Sequence, residues 1–367
     1  MPVPARSARS KVPAIARATA ALDAVAQAGR PLNLTQVARA VAAPKSSVLG
    51  ICQALVAERL LVRGADGTYW LGPGLAELAS AARALRPVVR RVGLSVQSSA
   101  NAFFTVEIAA ARTAAEALGA SVSACAAEQD LATQVSQIEA FIAEGVDLIM
   151  VDPVASLGLE AVTTGARRAF IPIVAINGTA AGADAAVTTD NAQAGALIGR
   201  YLTQLLPRGG GIAIIDGTSV TAIADRVAGF LSAIRVHADL RVISHLHGEN
   251  TQDSGERTAR QVLQEHPMID AFFAINDPTA IGVARACTDA RRVIPVLSVD
   301  GSAAAVDQVR RGGPIVATAA QDPARLAQSG LELGIALRSG IQSGHQTVLL
   351  PTRLITGDNA KDYIPWG

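Results

Sequence analysis

Side chains that could bind a small polar molecule recur where strand-like runs end, in the last three quarters of the chain. The set comprises amides, one guanidinium, one carboxylate and two aromatic rings: Asn101, Phe103, Phe104, Asn177, Arg226, Asn250, Asn276, Asp300 and Gln321. Amides and carboxylates can form paired hydrogen bonds with neighbouring hydroxyl groups, and a guanidinium can donate two parallel N–H hydrogen bonds. A Phe ring can cover the apolar face of a sugar. This chemistry predicts a site for neutral hydroxyl groups.

Several of these residues also have an ordinary structural explanation. Adjacent Phe103 and Phe104 fit a hydrophobic core, and an Asn that follows a strand, such as Asn276, is commonly a helix N-cap. Asp300 precedes Gly301, where a turn is expected. The residues by themselves leave both explanations open.

The sequence contains no nucleophile–His–acid series and no metal-ligand spacing. His245 and His247 could form a metal pair, but alternation on a strand explains them as well, and no carboxylate at a fixed spacing supports the pair. The three cysteines are odd in number and far apart, which does not suggest a disulfide framework or a metal site. We therefore expect no enzyme activity, no metal and no cofactor.

The elements that must position these candidates alternate between strand and helix, which predicts an α/β body with parallel sheets. Strands are predicted at 91–97, 121–126, 147–151, 172–176, 185–188, 212–215, 241–246, 270–274, 293–299 and 314–318. So many strands exceed one comfortable sheet, so we expect two Rossmann-like lobes. Ligands of such folds bind at the carboxyl ends of the strands, where the candidate residues lie.

The chain before this body, called here the head, has a different predicted pattern of short helices followed by a hairpin. A helix is predicted up to Ala28, with Gly29 ending it, and Asn33 with Gln36 forms a capping box that starts a second helix. A third helix is predicted from Lys45, followed by two short strands around Asp66-Gly67. Three helices and a hairpin predict a winged helix-turn-helix whose third helix enters the DNA major groove.

Six residues of this head are candidates for DNA contact: Lys45, Ser46, Ser47, Gln53, Arg63 and Tyr69. The first four lie on the third helix, and the last two lie on the hairpin, where they could touch the DNA backbone. A solvated helix end is the plainer explanation of Lys-Ser-Ser taken alone.

Charge separates the head from the body. Residues 1–92 carry 13 Lys and Arg against 4 Asp and Glu, and the remainder carries 19 against 27. A basic head on an acidic body is the pattern expected when only the head meets a polyanion. The first residues lack the apolar run of a secretion signal, and no apolar run has the length of a membrane span, so a cytoplasmic protein is expected.

Residues 11–78 resemble the DNA-binding domain of the IclR family of bacterial transcription regulators. The resemblance is carried by Gly29-Arg30-Pro31-Leu32-Asn33-Leu34, Val37-Ala38-Arg39, Pro44-Lys45-Ser46-Ser47-Val48 and Gly67-Thr68-Tyr69-Trp70-Leu71. One departure is Leu49-Gly50, where the family usually carries larger polar or basic residues. Operator preference therefore does not carry over from the family.

Residues 91–355 resemble the ribose-binding type of periplasmic binding protein, a fold also used as the effector domain of LacI-type repressors. The resemblance is carried by Ser99 to Phe104, Gly145 to Ile149, Thr189-Asp190-Asn191, Arg226 to Phe230, Ala274 to Asp277, Val299-Asp300-Gly301 and Ala319 to Pro323. It implies that Asn101, Phe103, Phe104, Arg226, Asn250, Asn276, Asp300 and Gln321 hold a sugar between two lobes. The departure is Asn177-Gly178, where pentose and hexose binders commonly place Asp-Arg, which favours a smaller or less oxygenated polyol over an ordinary aldopyranose.

Residues 1–10 are rich in Pro, Ser and Arg, which predicts a disordered tail, and a Leu- and Ala-rich run predicts a linker helix and joint at 74–90. The resemblances imply a winged helix-turn-helix (11–73) and a bilobal ligand-binding domain (91–367). The first lobe would comprise 91–189 and 323–350, and the second 190–320 and 351–367. The expected function is a ligand-responsive transcription regulator with operator DNA and a sugar or polyol effector as partners, acting as a homodimer or tetramer away from membranes. The alternative is a solute-binding protein of a sugar transport system without a DNA role.

Overall fold

A computed structural model describes residues 12–84, 89–340 and 346–367, with only the backbone described at 82–84. The tail predicted at 1–10 lies outside these residues, and so do residues 85–88 of the linker helix and joint predicted at 74–90. The chain divides into two compact units, residues 1–87 and residues 88–367.

The first unit has the predicted helices and hairpin, with one further strand. Its elements are α1 (Pro13–Ala28), β1 (Leu32–Asn33), α2 (Leu34–Val41), α3 (Lys45–Ala57), β2 (Leu61–Arg63), β3 (Thr68–Leu71) and α4 (Pro73–Ala84). The three strands form an antiparallel sheet in the order β1-β3-β2.

Local sequence explains where these helices begin and end. Gly29 adopts a left-handed φ of 59° directly after α1, a conformation that costs glycine little. The predicted capping box is confirmed: Asn33 Oδ1 accepts the Gln36 N–H at 3.0 Å, and Gln36 Oε1 accepts the Asn33 N–H at 2.9 Å.

Among the described residues no single helix is long and apolar enough to cross a membrane. The helices α2 and α3, which meet at an angle of 107°, pass the same test as a pair, by length and composition only.

The second unit contains twelve strands and nine helices within its described residues. The strands are β4 (Arg91–Val96), β5 (Ser121–Ala126), β6 (Leu148–Val151), β7 (Ile173–Ile176), β8 (Ala185–Thr189), β9 (Gly210–Ile215), β10 (Leu240–Leu246), β11 (Ala271–Ala274), β12 (Val296–Asp300), β13 (Ile315–Ala320), β14 (Gln346–Leu350) and β15 (Arg353–Thr356). The helices are α5 (Ala102–Glu116), α6 (Leu131–Glu144), α7 (Glu160–Arg168), α8 (Asn191–Leu205), α9 (Thr221–Ile234), α10 (Gln252–Glu265), α11 (Asp277–Asp289), α12 (Ala303–Arg310) and α13 (Pro323–Ser339). A 3₁₀ turn follows at Ala360–Asp362.

These strands form two six-stranded sheets, one in each lobe. The first has the order β14-β8-β7-β6-β4-β5 and is parallel throughout; the second has the order β10-β9-β11-β12-β13-β15 and is parallel except for β15. Helices cover both faces, so central strands such as β6 and β7 are buried at every residue. The predicted α/β class and two-lobed architecture are confirmed.

The chain crosses between the sheets three times in the described residues: between β8 and α8, between β13 and α13, and between β14 and β15. All ten predicted strands are present. Two more, β14 and β15, were not predicted because they are short strands at sheet edges, where exposed positions interrupt the apolar pattern. The strand predicted at 293–299 begins at Val296, since Val293 is fully exposed and Pro295 precedes the ladder.

Candidate functional site

A cavity of about 640 Å³ lies between the two lobes, at the carboxyl ends of their strands. This volume is within the usual range of small-molecule sites, about 300–1,000 Å³. All nine predicted ligand residues line it: Asn101, Phe103, Phe104, Asn177, Arg226, Asn250, Asn276, Asp300 and Gln321. The structure therefore brings together residues that are up to 220 positions apart in the sequence.

The first-lobe wall begins at the N-terminus of α5. Asn101 caps this helix by accepting the Phe103 N–H at 3.0 Å. The Phe103 and Phe104 rings meet edge to face at 5.6 Å, and both are at least 95% buried. The cap and the core explanations therefore hold for these residues, and the same side chains also line the cavity.

Behind this wall lies a carboxyl group that the sequence analysis missed. Asp152 follows β6 directly and is fully buried. Its carboxylate accepts Gln97 Nε2 at 2.6 Å and Asn177 Nδ2 at 3.0 Å. Gln97 and Asn177 line the cavity, so Asp152 fixes the orientation of two ligand-facing amides from behind.

A second buried carboxyl group, Glu107, lies next to Asp152. Burial, followed by the charge of Asp152, raises the pKa of Glu107 well above its usual range. Burial also raises the pKa of Asp152, to about 6, although hydrogen bonds from Gln97 and Asn177 oppose this rise. The neutral form is therefore favoured more strongly for Glu107, whose two carboxyl oxygens have no hydrogen-bond partner among the described residues.

The second-lobe wall is built around Arg226, which is 5% exposed. Its Nε donates to Asn191 Oδ1 at 2.7 Å, its Nη1 donates to the Ile275 carbonyl at 3.0 Å, and Nη1 lies 3.8 Å from Asp300 Oδ1. Burial lowers the pKa of Arg226, and nearby carboxylates led by Asp300 oppose this effect. Asn191 is the first residue of α8, directly after the first crossing between the lobes. Through its hydrogen bond to Asn191, Arg226 therefore connects the cavity to that crossing segment.

Two glycines allow Arg226 to reach this position. A Cβ on Gly195 would lie 1.9 Å from the Arg226 carbonyl oxygen, and a Cβ on Gly229 would lie 2.1 Å from the Ala192 carbonyl oxygen. Any side chain at either position would push α8 and α9 apart, so the close packing of these helices sets the depth of Arg226 in the cavity.

Asp300 ends β12 with a φ of 140°, a conformation that is rare for residues other than glycine. Its carboxylate accepts Gln321 Nε2 at 2.7 Å and the Asp277 N–H at 3.2 Å. Burial and the neighbouring Asp277 raise the pKa of Asp300 to about 7, while Arg226 opposes the rise. The turn explanation is thus compatible with a role in the cavity.

Three amide oxygens of cavity-lining residues are buried without a hydrogen-bond partner among the described residues: Asn177 Oδ1, Asn250 Oδ1 and Gln321 Oε1. A buried acceptor without a donor is costly, so a ligand hydroxyl group that reached one of these oxygens would stabilise it. The Asn250 Nδ2 donates to Thr218 at 2.9 Å. Asn276 accepts the Thr279 N–H at 3.0 Å, so it also caps α11.

The charged residues of the lining all belong to the second lobe. They are Arg226, Glu249, Asp253 and Asp300, whereas the first lobe contributes uncharged residues such as Asn177 and Gly178. The missing Asp-Arg pair noted in the sequence thus leaves a first-lobe wall of amides and aromatic rings.

The residues that the sequence analysis missed include Gln97 and Trp366 in the cavity and Asp152 behind its wall. Gln97 ends a predicted strand, and Asp152 follows one, so the strand-end rule would have found both. Trp366 lies ten residues after β15 and follows no strand directly, so no local pattern indicated it.

The two histidines considered as a metal pair both contact one carboxylate. Asp216 Oδ2 lies 2.7 Å from His245 Nε2, and Asp216 Oδ1 lies 2.5 Å from His247 Nδ1. In the described ranges no group of three or more His, Cys, Asp and Glu side chains is arranged to hold a metal ion.

In the first unit, five of the six predicted DNA contacts are exposed. Lys45, Ser46 and Ser47 form the first turn of α3, Gln53 lies further along the same helix, and Arg63 lies on β2. For Tyr69 the prediction is wrong. Its side chain is 1% exposed, because β3 turns it into the core of the unit, so it is not available to a DNA backbone.

Comparison with known families identifies both units. The periplasmic binding protein domain matches residues 92–342, and the IclR helix-turn-helix domain matches residues 14–65. The chain belongs to the periplasmic binding protein domain family and carries an IclR helix-turn-helix domain ahead of it. Both resemblances predicted from the sequence are confirmed.

The relatives are sugar-binding proteins. The D-ribose/D-allose-binding protein of Pseudomonas aeruginosa is 30% identical over 298 residues, which cover 76% of this chain and 92% of that protein. The ribose import binding protein RbsB of Bacillus subtilis is 26% identical over 268 residues, covering 72% and 87%. A transporter solute-binding protein of Bacillus halodurans with bound myo-inositol is 25% identical with a TM-score of 0.70, covering 76% and 98%.

Proposed function

We propose that the protein is a ligand-responsive transcription regulator that senses a neutral sugar or polyol in its interlobe cavity and binds operator DNA through its first unit. The observation that carries this proposal is the presence on one chain of an IclR helix-turn-helix domain and a sugar-binding type of cavity. Such a regulator acts in the cytoplasm. It is expected to be a homodimer or tetramer, because operators are usually palindromic.

The lining supports an uncharged, hydroxyl-bearing effector. Asn177 Oδ1 and Gln321 Oε1 each lack a donor among the described residues, and Asp300 with Arg226 supplies a charged acceptor and a donor. A sugar acid or phosphate would need a second cation, and among the described residues Arg226 is the single cationic residue of this lining. A ligand that touches both walls favours closure of the lobes.

The effector is sought by a melting-temperature screen of the purified protein with D-ribose, D-allose, xylitol and myo-inositol, with ribose 5-phosphate as the charged comparison. A bound compound raises the melting temperature, because it stabilises the folded state by RT ln(1 + L/Kd), where L is its free concentration. The proposal predicts a shift with at least one uncharged compound. A shift with ribose 5-phosphate alone would contradict the neutral-effector assignment.

DNA binding is tested with the DNA upstream of the gene over a series of salt concentrations. We expect binding that weakens with salt, and Lys45→Ala is expected to reduce the salt slope by about 1, since one phosphate contact is lost. Lys361→Ala is the matched control, because Lys361 is an exposed lysine of the second unit. Absence of any shift at low salt, with and without the sugars, would sink the regulator proposal.

A second candidate is a solute-binding protein of a sugar transport system without a DNA role. It is favoured by the relatives, since the RbsB protein is named as an import protein. Recovery of the native protein from a periplasmic fraction, with sugar binding but no DNA binding, would favour this candidate over the regulator.

A further inference from the structure

Residues 357–367, called here the tail segment, are attached to the second lobe. Arg310 Nη2 donates to the Tyr363 carbonyl at 2.6 Å, and the Tyr363 hydroxyl donates to the Gly301 carbonyl at 3.2 Å. Both partners belong to the second lobe: Arg310 ends α12, and Gly301 follows β12. The tail segment therefore moves with that lobe.

Trp366 and Gly367 are the residues of the tail segment that line the cavity, and Trp366 brings an aromatic ring to it. Its indole N–H is shared between the Asp300 carbonyl at 3.0 Å and the Gln321 carbonyl at 3.1 Å. Its own carbonyl accepts the Ala303 N–H at 3.0 Å. The indole is thus fixed on the backbone of two residues whose side chains line the second-lobe wall.

The same indole contacts the first lobe. The Trp366 and Phe103 rings meet edge to face, with centroids 5.3 Å apart and planes at 86°. Phe103 opens α5, and its ring meets Phe104 in the same manner. The aromatic rings that line this cavity are Phe103 and Phe104 from the first lobe and Trp366 from the second.

We propose that Trp366 is the second lobe's aromatic contact for the sugar ring, and that its contact with Phe103 holds the lobes together before a sugar is bound. This inference rests on the sugar-sensing role proposed for the same cavity. Opening the cleft must separate the two rings, because Trp366 is bonded to the second lobe and Phe103 belongs to the first.

The expected size of the effect follows from the geometry. An edge-to-face aromatic pair changes the ratio of closed to open molecules by about 2- to 12-fold, equivalent to about 0.5–1.5 kcal/mol at about 1.4 kcal/mol per tenfold. The apparent affinity for a sugar that binds the closed state falls by up to the same factor when the pair is removed.

The test uses the intrinsic fluorescence of the full-length protein without sugar. The chain has two Trp residues, so Trp70→Phe leaves Trp366 as the single tryptophan, which is excited selectively at wavelengths that tyrosine does not absorb. In this background Phe103→Ala is expected to raise the acrylamide quenching of Trp366 and shift its emission to the red. Phe170→Ala is the matched control, since Phe170 is 65% exposed in the same lobe, and it should leave both readings unchanged.

Unchanged quenching in the Phe103→Ala protein, with the fold verified by circular dichroism, would overturn the contact in solution. If that variant does not fold, Phe103→Leu takes its place, because leucine keeps apolar bulk and removes the ring. Small-angle scattering of Trp366→Ala against Trp366→Phe gives an independent reading: the alanine variant should have the larger radius of gyration. Equal radii would also contradict the proposal.

The sugar arm separates this inference from the function on which it rests. With any sugar that raises the melting temperature, Trp366→Ala should weaken binding more than Trp366→Phe. Equal sugar affinity in the wild type and Trp366→Ala would contradict the proposed contact between Trp366 and the sugar. If no sugar binds but Phe103→Ala exposes Trp366, the proposed sugar sensing fails and the interlobe contact stands.

Discussion

Replacing Asp300 with asparagine should stabilise the protein and weaken its binding of sugar. The buried Asp300 carboxylate lowers the stability of the fold when it ionises, and the same charge strengthens a hydrogen bond from a sugar hydroxyl. The substitution keeps the shape of the side chain and removes its charge. The Gln321 amide donates to this carboxylate through Nε2, and its Oε1 has no partner among the described residues. Rotation of the Gln321 amide lets Oε1 accept from the new amide without moving the backbone, and it exchanges an unpartnered Oε1 for an unpartnered Nε2.

The expected gain in stability of the Asp300→Asn variant follows from the pKa of Asp300. Burial and Asp277 raise this pKa from 3.8 to about 7. An acid whose pKa is higher in the folded state binds more protons there than in the unfolded state, so stability is lost as pH rises from 3.8 to about 7. The full ionisation cost is on the order of 4 kcal/mol. Asp300→Asn avoids it, so its advantage should grow by roughly 2 kcal/mol between about pH 5.5 and about pH 8.

Sugar binding should change in the opposite direction. A hydrogen bond from a hydroxyl to a charged acceptor contributes about 1.5–3 kcal/mol. Its loss corresponds to a Kd that is higher by roughly 10- to 150-fold. A variant that is more stable but binds sugar less well is the expected result when a binding site contains a buried charge that destabilises the fold.

The assay is denaturant unfolding of the wild type and Asp300→Asn at both pH values, with calorimetric titration of any sugar found in the screen. Glu107 and Asp152 titrate in both proteins, so their shared effect cancels in the difference. Asp362→Asn is the control, because Asp362 is exposed. An advantage that is the same at both pH values, or a variant less stable than wild type at the higher pH, would refute the reasoning.

Two further predictions concern residues that support the site. Glu107→Gln should change the denaturation midpoint little at neutral pH, because the raised pKa already keeps Glu107 protonated; a loss of several kcal/mol, on the scale of a broken buried ion pair, would show that Glu107 is charged. Gly195→Ala should destabilise by about 1–3 kcal/mol and weaken sugar binding, since its Cβ would lie 1.9 Å from the Arg226 carbonyl oxygen. Its control is Gly50→Ala, which has open space around the new Cβ and should stabilise α3 by up to about 1 kcal/mol; equal effects of the two substitutions in thermal melts would remove the close-packing argument.

The strand-end rule found most of the cavity because parallel strands deliver their carboxyl ends to one edge of a sheet. Asn101, Asn276 and Asp300 each follow or end a strand, so their positions could be read without knowing which strands are neighbours. The same rule applied at Val151 would have found Asp152. The prediction for Tyr69 rested on its place in the hairpin and failed for another reason: hairpin residues alternate between faces, and the face turned to the core is set by packing against β1 and the helices.

The sequence by itself determined the two units, the α/β class of the body and the residue types of the site, since these depend on local periodicity and on the order of elements along the chain. The tertiary structure decided how the two walls meet. The depth of Arg226 depends on the contact of α8 with α9, and the orientation of Asn177 depends on Asp152 behind it. Trp366 reaches Phe103 across about 260 residues of chain. Such contacts arise from packing between distant segments, and no local pattern encodes them.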